Sequence, residues 1–196
     1  MSTRNSLIML LITLLGACGE AKLPSPFQAL DITSSYSTAD FQLTDFNGTP
    51  RRLDNFANKV VILFFGYTHC PEVCPTTLAD LAQVMRQLGN DAGRVQVLFI
   101  TLDPEQDNQE MLAQYLPYFD KTFLGLRGNA ETTAQAAKAF GVVFQKHSNQ
   151  GGGYTVDHSS GTYLIGLKGH PILLAPYGQR SEILVQDIKL LLALGR

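Results

Sequence analysis

The chain has 196 residues, of which 45% are apolar. That is room for one domain with a buried core plus a short leader, and it is not the composition of a disordered polymer. Net charge is −2 and no run of Lys or Arg occurs, so nucleic-acid binding has no electrostatic support.

In chain order, residues 1–17 come first: Arg4, the apolar run Leu7 to Leu15, then Gly16 and Ala17. This is the layout of a secretory signal, and the run is shorter than the ~20 residues a membrane-spanning helix needs. Leu15-Gly16-Ala17-Cys18 resembles the bacterial lipoprotein signal box, which implies cleavage before Cys18 and lipid on its thiol. The alternative is a free cysteine in an ordinary signal peptide. Removing residues 1–17, with Arg4 as their one charged side chain, leaves 179 residues and a net charge of −3. The protein is then exported and lipid-anchored to a bacterial membrane, facing the periplasm or the cell exterior. Of three cysteines, Cys70 and Cys74 remain as a pair. In an exported compartment such a pair is a redox couple, a metal site or a small staple.

Residues 18–38 read as a tether rich in Ala, Ser, Thr and Pro, with the folded domain spanning 39–196. Phe41, Leu43 and Asp45 alternate, Asn47-Gly48 is a hairpin turn, and Arg51 to Phe56 returns from it. Lys59 to Phe65 is a continuous apolar run, expected as a strand buried on both faces. Leu78, Leu81, Ala82, Met85 and Leu88 fall at helical spacing over Thr76 to Leu88. Val95 to Thr101 is a second buried strand. Asp107-Asn108-Gln109-Glu110 has the form of a capping box for a helix to Tyr115. Phe123 to Leu126 is a short strand, and Asn129 caps a helix that Gly141 ends. Val142 to Phe144 is extended, and His147 to Gly153 is a polar loop whose three glycines form a hinge. Thr162 to Leu167 and Pro171 to Ala175 are paired strands, and Ser181 caps a final helix, Glu182 to Leu192. The order predicts an α/β fold: a central mixed sheet with helices on both faces and an N-terminal β-hairpin.

The chemistry concentrates in Tyr67-Thr68-His69-Cys70-Pro71-Glu72-Val73-Cys74-Pro75. Each cysteine precedes a proline and is biased from α-helical angles, so the helix is expected to start near Pro75. The thiols would then sit at a helix N-terminus, where the partial positive charge favours thiolate. Soft thiolates suit Cu(I) or Zn(II), but two are few for a closed zinc site. His158, in the loop entering the strand from Thr162, is the candidate third ligand, with Asp157 to orient it. Taken by itself, a loop histidine is more often solvated. His69, His147 and His170 read as surface residues. Asp103, in Asp103-Pro104-Glu105, lies at a strand end, where sites collect in α/β sheets.

These elements together resemble the Sco/SenC family of copper-binding proteins. They are Phe41-Gln42-Leu43-Thr44-Asp45 with Asn47-Gly48, the cysteine motif, Leu102-Asp103-Pro104-Glu105, and Val156-Asp157-His158-Ser159-Ser160. The resemblance covers Ala39 to Leu192 and implies a thioredoxin-like fold. It implies copper, Cu(I) or Cu(II), held by Cys70, Cys74 and His158, with supporting roles for Asp157 and Asp103. It implies a chaperone that takes copper from a donor protein and serves a recipient cuproprotein. That recipient is cytochrome c oxidase, through its subunit II, or another exported cuproenzyme. The rival is a thiol–disulfide oxidoreductase that reduces the recipient's cysteines, with Cys70 attacking and Cys74 resolving.

Overall fold

A computed structural model describes residues 25–36, 38–149 and 151–195. The signal segment and Cys18 lie outside the described residues. No helix among the described residues is long and apolar enough to cross a membrane.

The fold begins earlier than its composition suggests. Phe27, Ala29 and Ile32 are buried, and strand β1 (Leu30–Asp31) runs along one edge of the sheet. This segment is held from below by Asp187, a wholly buried carboxylate that accepts the main-chain N–H of Gln28 at 3.0 Å and of Ala29 at 2.8 Å. The Ala/Ser/Thr/Pro content of residues 18–38 therefore hides a packed stretch, because its anchor is 158 positions away.

Strand β2 (Leu43–Asp45) turns at Gly48 into β3 (Pro50–Arg51). The return strand is only two residues long. The Asn55 side chain then accepts the Arg52 N–H at the head of a short 3₁₀ turn, Leu53–Phe56, which buries Leu53 and Phe56 three apart. Asp45 organises this hairpin: it is buried, accepts from the N–H groups of Asn47 and Thr49, and pairs with Arg51 at 2.8 Å. Burial works against its charge, but these bonds and the guanidinium outweigh it and hold the carboxyl below its ordinary value.

Strand β4 (Val60–Gly66) is buried at all seven positions. Helix α1 (Val73–Leu88) returns to β5 (Val95–Thr101), and β4 and β5 pair in parallel in register from Val60↔Val95 to Gly66↔Thr101. Helix α2 (Gln109–Tyr115) is capped by Asn108, whose side chain accepts from the Met111 N–H. Asp107, expected in that cap, is turned inward instead. Then come β6 (Leu124–Arg127) and α3 (Ala130–Ala139), the latter capped by Asn129 as its sequence indicates.

The polar stretch after α3 is an antiparallel hairpin, β7 (Phe144–Ser148) and β8 (Tyr154–His158), with the glycines at its tip. Its polar alternation conceals a two-stranded ribbon with one wet face. Strand β9 (Thr162–Ile165), β10 (Pro171–Ala175) and α4 (Ser181–Leu194) complete the chain. Ser181 lies inside α4; Arg180 is at the cap position and makes no side-chain cap bond.

The main sheet has the order β1-β10-β9-β4-β5-β6-β2-β3, and β7-β8 is a separate ribbon. Alternate residues of β4 face opposite layers. Phe64 and Gly66 face Phe99 of β5 and Cys74 of α1, whereas Phe65 meets Tyr163 of β9 and Phe140 at the end of α3. Helices thus cover both faces of a mixed sheet, in the expected thioredoxin-like arrangement.

Two stability measurements test these anchors. Asp187→Ala leaves two main-chain donors without their acceptor and is expected to cost about 2–4 kcal/mol in urea unfolding, with Asp187→Asn losing less. Asp45 has a folded pKa below the ordinary 3.8, so its contribution is complete above that value and is lost as pH falls through the folded pKa. The gap in Tm between wild type and Asp45→Asn should therefore narrow as the medium is acidified below about pH 4.

Candidate metal centre

Strand β4 ends at Gly66, and the chain turns through Tyr67–Glu72 into α1. A single buried carboxylate fixes this turn. Asp107 accepts the Thr68 N–H at 3.0 Å, the Thr68 hydroxyl at 2.5 Å and the Thr101 hydroxyl at 2.6 Å. It thereby joins the loop after β4 to the end of β5. The neighbouring His69 faces outward, with Nδ1 3.1 Å from the Thr68 hydroxyl oxygen.

Helix α1 starts at Val73, two residues before Pro75, so Cys74 lies within its first turn and Cys70 in the turn before it. Pro75 is tolerated there because a first-turn N–H has no intrahelical partner. Glu72 occupies the cap position without a side-chain cap bond. The Cys74 N–H instead donates to Cys70 Sγ at 3.4 Å, so the first thiol partly caps the helix that carries the second.

Cys70 is half-buried and Cys74 wholly buried; both are free. Burial pushes the Cys74 thiol pKa well up; a bond from the Tyr67 main chain pulls against this, and the charges of Cys70 and Asp107 add to the rise. The expected thiolate bias from the helix terminus is thus reversed at Cys74, because desolvation exceeds it. Cys74 Sγ packs against Gly66: a Cβ at position 66 would lie 2.8 Å from that sulfur and 2.9 Å from the Phe99 ring. Gly66 is therefore required by close approach.

His158 closes the group. It is the last residue of β8, paired with Phe144, and lies on a strand end where a loop was expected. Its Nδ1 is 2.9 Å from the Ser159 carbonyl oxygen and its Nε2 is 3.5 Å from Cys74 Sγ. A carbonyl only accepts, so Nδ1 carries the proton and Nε2 turns a lone pair toward the sulfur. Phe64 and Tyr67 wall the ring, with centroids 6.2 and 6.1 Å away. Burial raises the Tyr67 phenol pKa; a bond from the Val156 main chain opposes the rise, and Cys70 and Cys74 add to it.

One donor atom from each of Cys70, Cys74 and His158 lies within 4.8 Å of the others. Two sulfurs and one imidazole nitrogen converge, with no further His, Cys, Asp or Glu donor in the group among the described residues, an arrangement that can hold a soft cation. An open cleft of about 390 Å³ adjoins it, lined by Tyr67, Cys70, Pro71, Val156, His158 and Ser160. A larger cleft of about 700 Å³ around Gln109, Arg127 and Asn129 holds none of the three donors. Donor chemistry, not volume, locates the site.

The two expected supporting carboxylates are placed differently. Asp157 is exposed and its Oδ2 lies 3.2 Å from His147 Nε2 on the outer face of the hairpin. Adjacent strand residues point to opposite faces, so the Asp157 side chain is directed away from the ring of His158, whose Nδ1 faces the Ser159 carbonyl. Asp103 is buried and bonded to Tyr154 and Lys146. Asp107, Gly66, Tyr67 and Ser159 all shape the site, and sequence alone gave none of them a role there. A glycine closing an apolar strand before a cysteine motif was the available signal for Gly66. Asp107 was masked by its plausible reading as a helix cap.

The family model SCO1/SenC matches residues 31–193. The bovine mitochondrial protein SCO2 homolog is 41% identical over 148 residues, 73% of this chain and 54% of that protein. The chain thus spans about half the length of the curated relatives it matches. Copper-bound ScoI from Bradyrhizobium japonicum superposes with TM-score 0.71 at 36% identity, over 76% of this chain and 96% of that one. Apo Sco1 from Thermus thermophilus gives TM-score 0.75 at 38% identity, over 84% and 96%. With the match running from β1 through α4 and the donor group lying inside it, the chain belongs to the SCO1/SenC family.

Proposed function

We propose that this protein is a copper chaperone that carries one copper ion on Cys70, Cys74 and His158. The observation that carries the reading is the convergence of the three donor atoms within 4.8 Å, with His158 in the tautomer that frees Nε2. Copper bound to a solved relative of similar fold supports the choice of metal. Two thiolates and a neutral imidazole leave Cu(I) with net charge −1 and Cu(II) neutral, so the cage suits both states. Three donors beside an open cleft allow a partner's thiolate or imidazole to displace them one at a time, which a closed four-ligand site resists.

The recipient is a copper centre outside the cytoplasm, with that of cytochrome c oxidase, in subunit II, the first candidate, and a separate protein supplies the ion. Export by residues 1–17 and lipid on Cys18 place the domain at a bacterial membrane surface, with a tether between Cys18 and the segment that Asp187 docks.

A second activity, reduction of a recipient's disulfide, is favoured by the unequal environments of the cysteines. Cys70 is accessible and attacks one sulfur of the disulfide, releasing the other as thiolate. Cys74 then displaces the recipient's remaining sulfur from the mixed disulfide, leaving a Cys70–Cys74 disulfide and a reduced recipient. Cys74 is buried beside Cys70, which suits the resolving role, in which no outside substrate must reach it.

Copper titration of the reduced domain, wild type beside His158→Ala, tests the main reading. Wild type is expected to bind one equivalent and the variant to bind at least ~10-fold more weakly, a loss of ~1.4 kcal/mol. Equal affinity would remove His158 from the ligand set. Iodoacetamide labelling of the metal-free protein, followed by mass spectrometry, should modify Cys70 well before Cys74, and prior copper loading should protect both. Labelling at equal rates would contradict the division of roles.

A further inference from the structure

The ribbon β7-β8 carries one of the three donors. It shares no ladder with the main sheet. Of its ten residues only Val156 is buried. A two-stranded ribbon with so little apolar burial is marginal by itself. Val156 sits in the core and Phe144 and Tyr154 pack partly against it, and polar contacts add to this hold.

The register identifies what faces inward. Phe144 pairs with His158, Lys146 with Val156 and Ser148 with Tyr154, so these six side chains share one face. His158 stands at one end of that face and Tyr154 four residues away, a separation of ~13 Å along the strand. At the Tyr154 end, the phenol donates to Asp103, with 2.8 and 2.9 Å to its two carboxylate oxygens. Lys146 Nζ lies 2.8 Å from Asp103 Oδ1, 2.7 Å from Glu105 Oε2 and 3.2 Å from the Tyr154 hydroxyl, and sits 4.5 Å over the Tyr154 ring centre. Asp103 is 1% exposed, and its own N–H is bonded to the Thr101 hydroxyl that also reaches Asp107. Partial burial disfavours the Lys146 ammonium, but the bonds to Asp103, Glu105 and Tyr154 outweigh it and raise its pKa.

We propose that Lys146 and Tyr154 buckle the ribbon onto Asp103 in the loop after β5, and that this fastening positions His158 for the metal. They touch no donor atom of the cage and act only through the ribbon. The proposal rests on His158 serving as a ligand. It explains why a carboxylate that is not among the donors is buried beside an accessible lysine. It also gives the arrangement a shared foundation, since the thiol loop and the buckle are both tied to Thr101.

The test is a mutant cycle in the mature domain with copper itself as probe. Copper affinity is measured by chelator competition for wild type, Lys146→Met/Tyr154→Phe, His158→Ala and the triple variant, with Tyr154→Phe alone as the mildest change. Amide hydrogen exchange of residues 144–158 is followed in the metal-free proteins, and Cu(II) EPR reports nitrogen hyperfine coupling. The double variant should bind copper about tenfold more weakly, the low end for loss of outer support at a metal site. Its ribbon should exchange faster, and its nitrogen coupling should weaken or disappear. Lys146→Arg, which keeps the cation, should recover much of the affinity. In the His158→Ala background the same two substitutions should cost nothing more, because there is no ligand left to position.

An equal loss in both backgrounds would overturn the proposal, since it would mark a general destabilisation. So would unchanged affinity and unchanged ribbon exchange when His158→Ala alone weakens binding. If His158→Ala binds as tightly as wild type, the ligand assignment falls and the positioning role falls with it. That outcome is told apart from failure of the buckle by the ribbon's exchange rates, which do not depend on copper.

Discussion

Two parallel strands, β4 and β5, are paired through seven residues in register, and their carboxyl ends lie side by side. The rest of the site is suspended from that edge. One strand hands over to the turn that holds the thiols, the other to the loop that holds the ribbon. The wholly buried Asp107 binds the two together through Thr68 and Thr101, which makes their relative position a property of the sheet. Parallel pairing demands burial on both faces. The unbroken apolar character of Val60–Phe65 is thus the physical condition for having two loop origins next to each other.

This layout separates rigid from yielding parts. Cys74 is carried by the first turn of a sixteen-residue helix with its inner face in the core, whereas His158 ends a thin ribbon lying on the surface. A donor set of this kind has one fixed member, one half-accessible member in a turn, and one whose support is polar. In the proposed transfer of copper, the bonds would be surrendered one at a time, in sequence. Here the sequence is biased by burial: the side on which the cage opens is that of Cys70 and His158, and the sulfur of Cys74 faces inward.

Much of this was readable before any coordinates. Val95–Thr101, Pro171–Ala175 and the Asn129 cap occur where their residue patterns place them, because each is governed by local burial period or local capping chemistry. The grouping of Cys70, Cys74 and His158 was legible through their chemistry and the resemblance to a family. What could not be read depended on distant partners. Residues 27–31 look like linker until Asp187 is placed beneath them. The ribbon looks like a loop because Lys146 and Tyr154 have polar reasons for facing inward, and hydrophobic periodicity does not register such reasons. Asp157 adjoins His158 in sequence yet points to the opposite face of the ribbon, since neighbours along a strand are not neighbours in space.

Gly66 carries a different kind of information. Every other participant contributes a group, but this one contributes a missing atom, and the buried sulfur of Cys74 occupies the space. A methyl there could not be accommodated by a flexible neighbour, since the Phe99 and Phe64 rings close the remaining sides. The position therefore behaves as a mould for the sulfur. A drift to alanine at this point would dislodge a donor while leaving all three donor residues intact in the sequence. Retaining the cysteines and the histidine is thus insufficient to retain the cage.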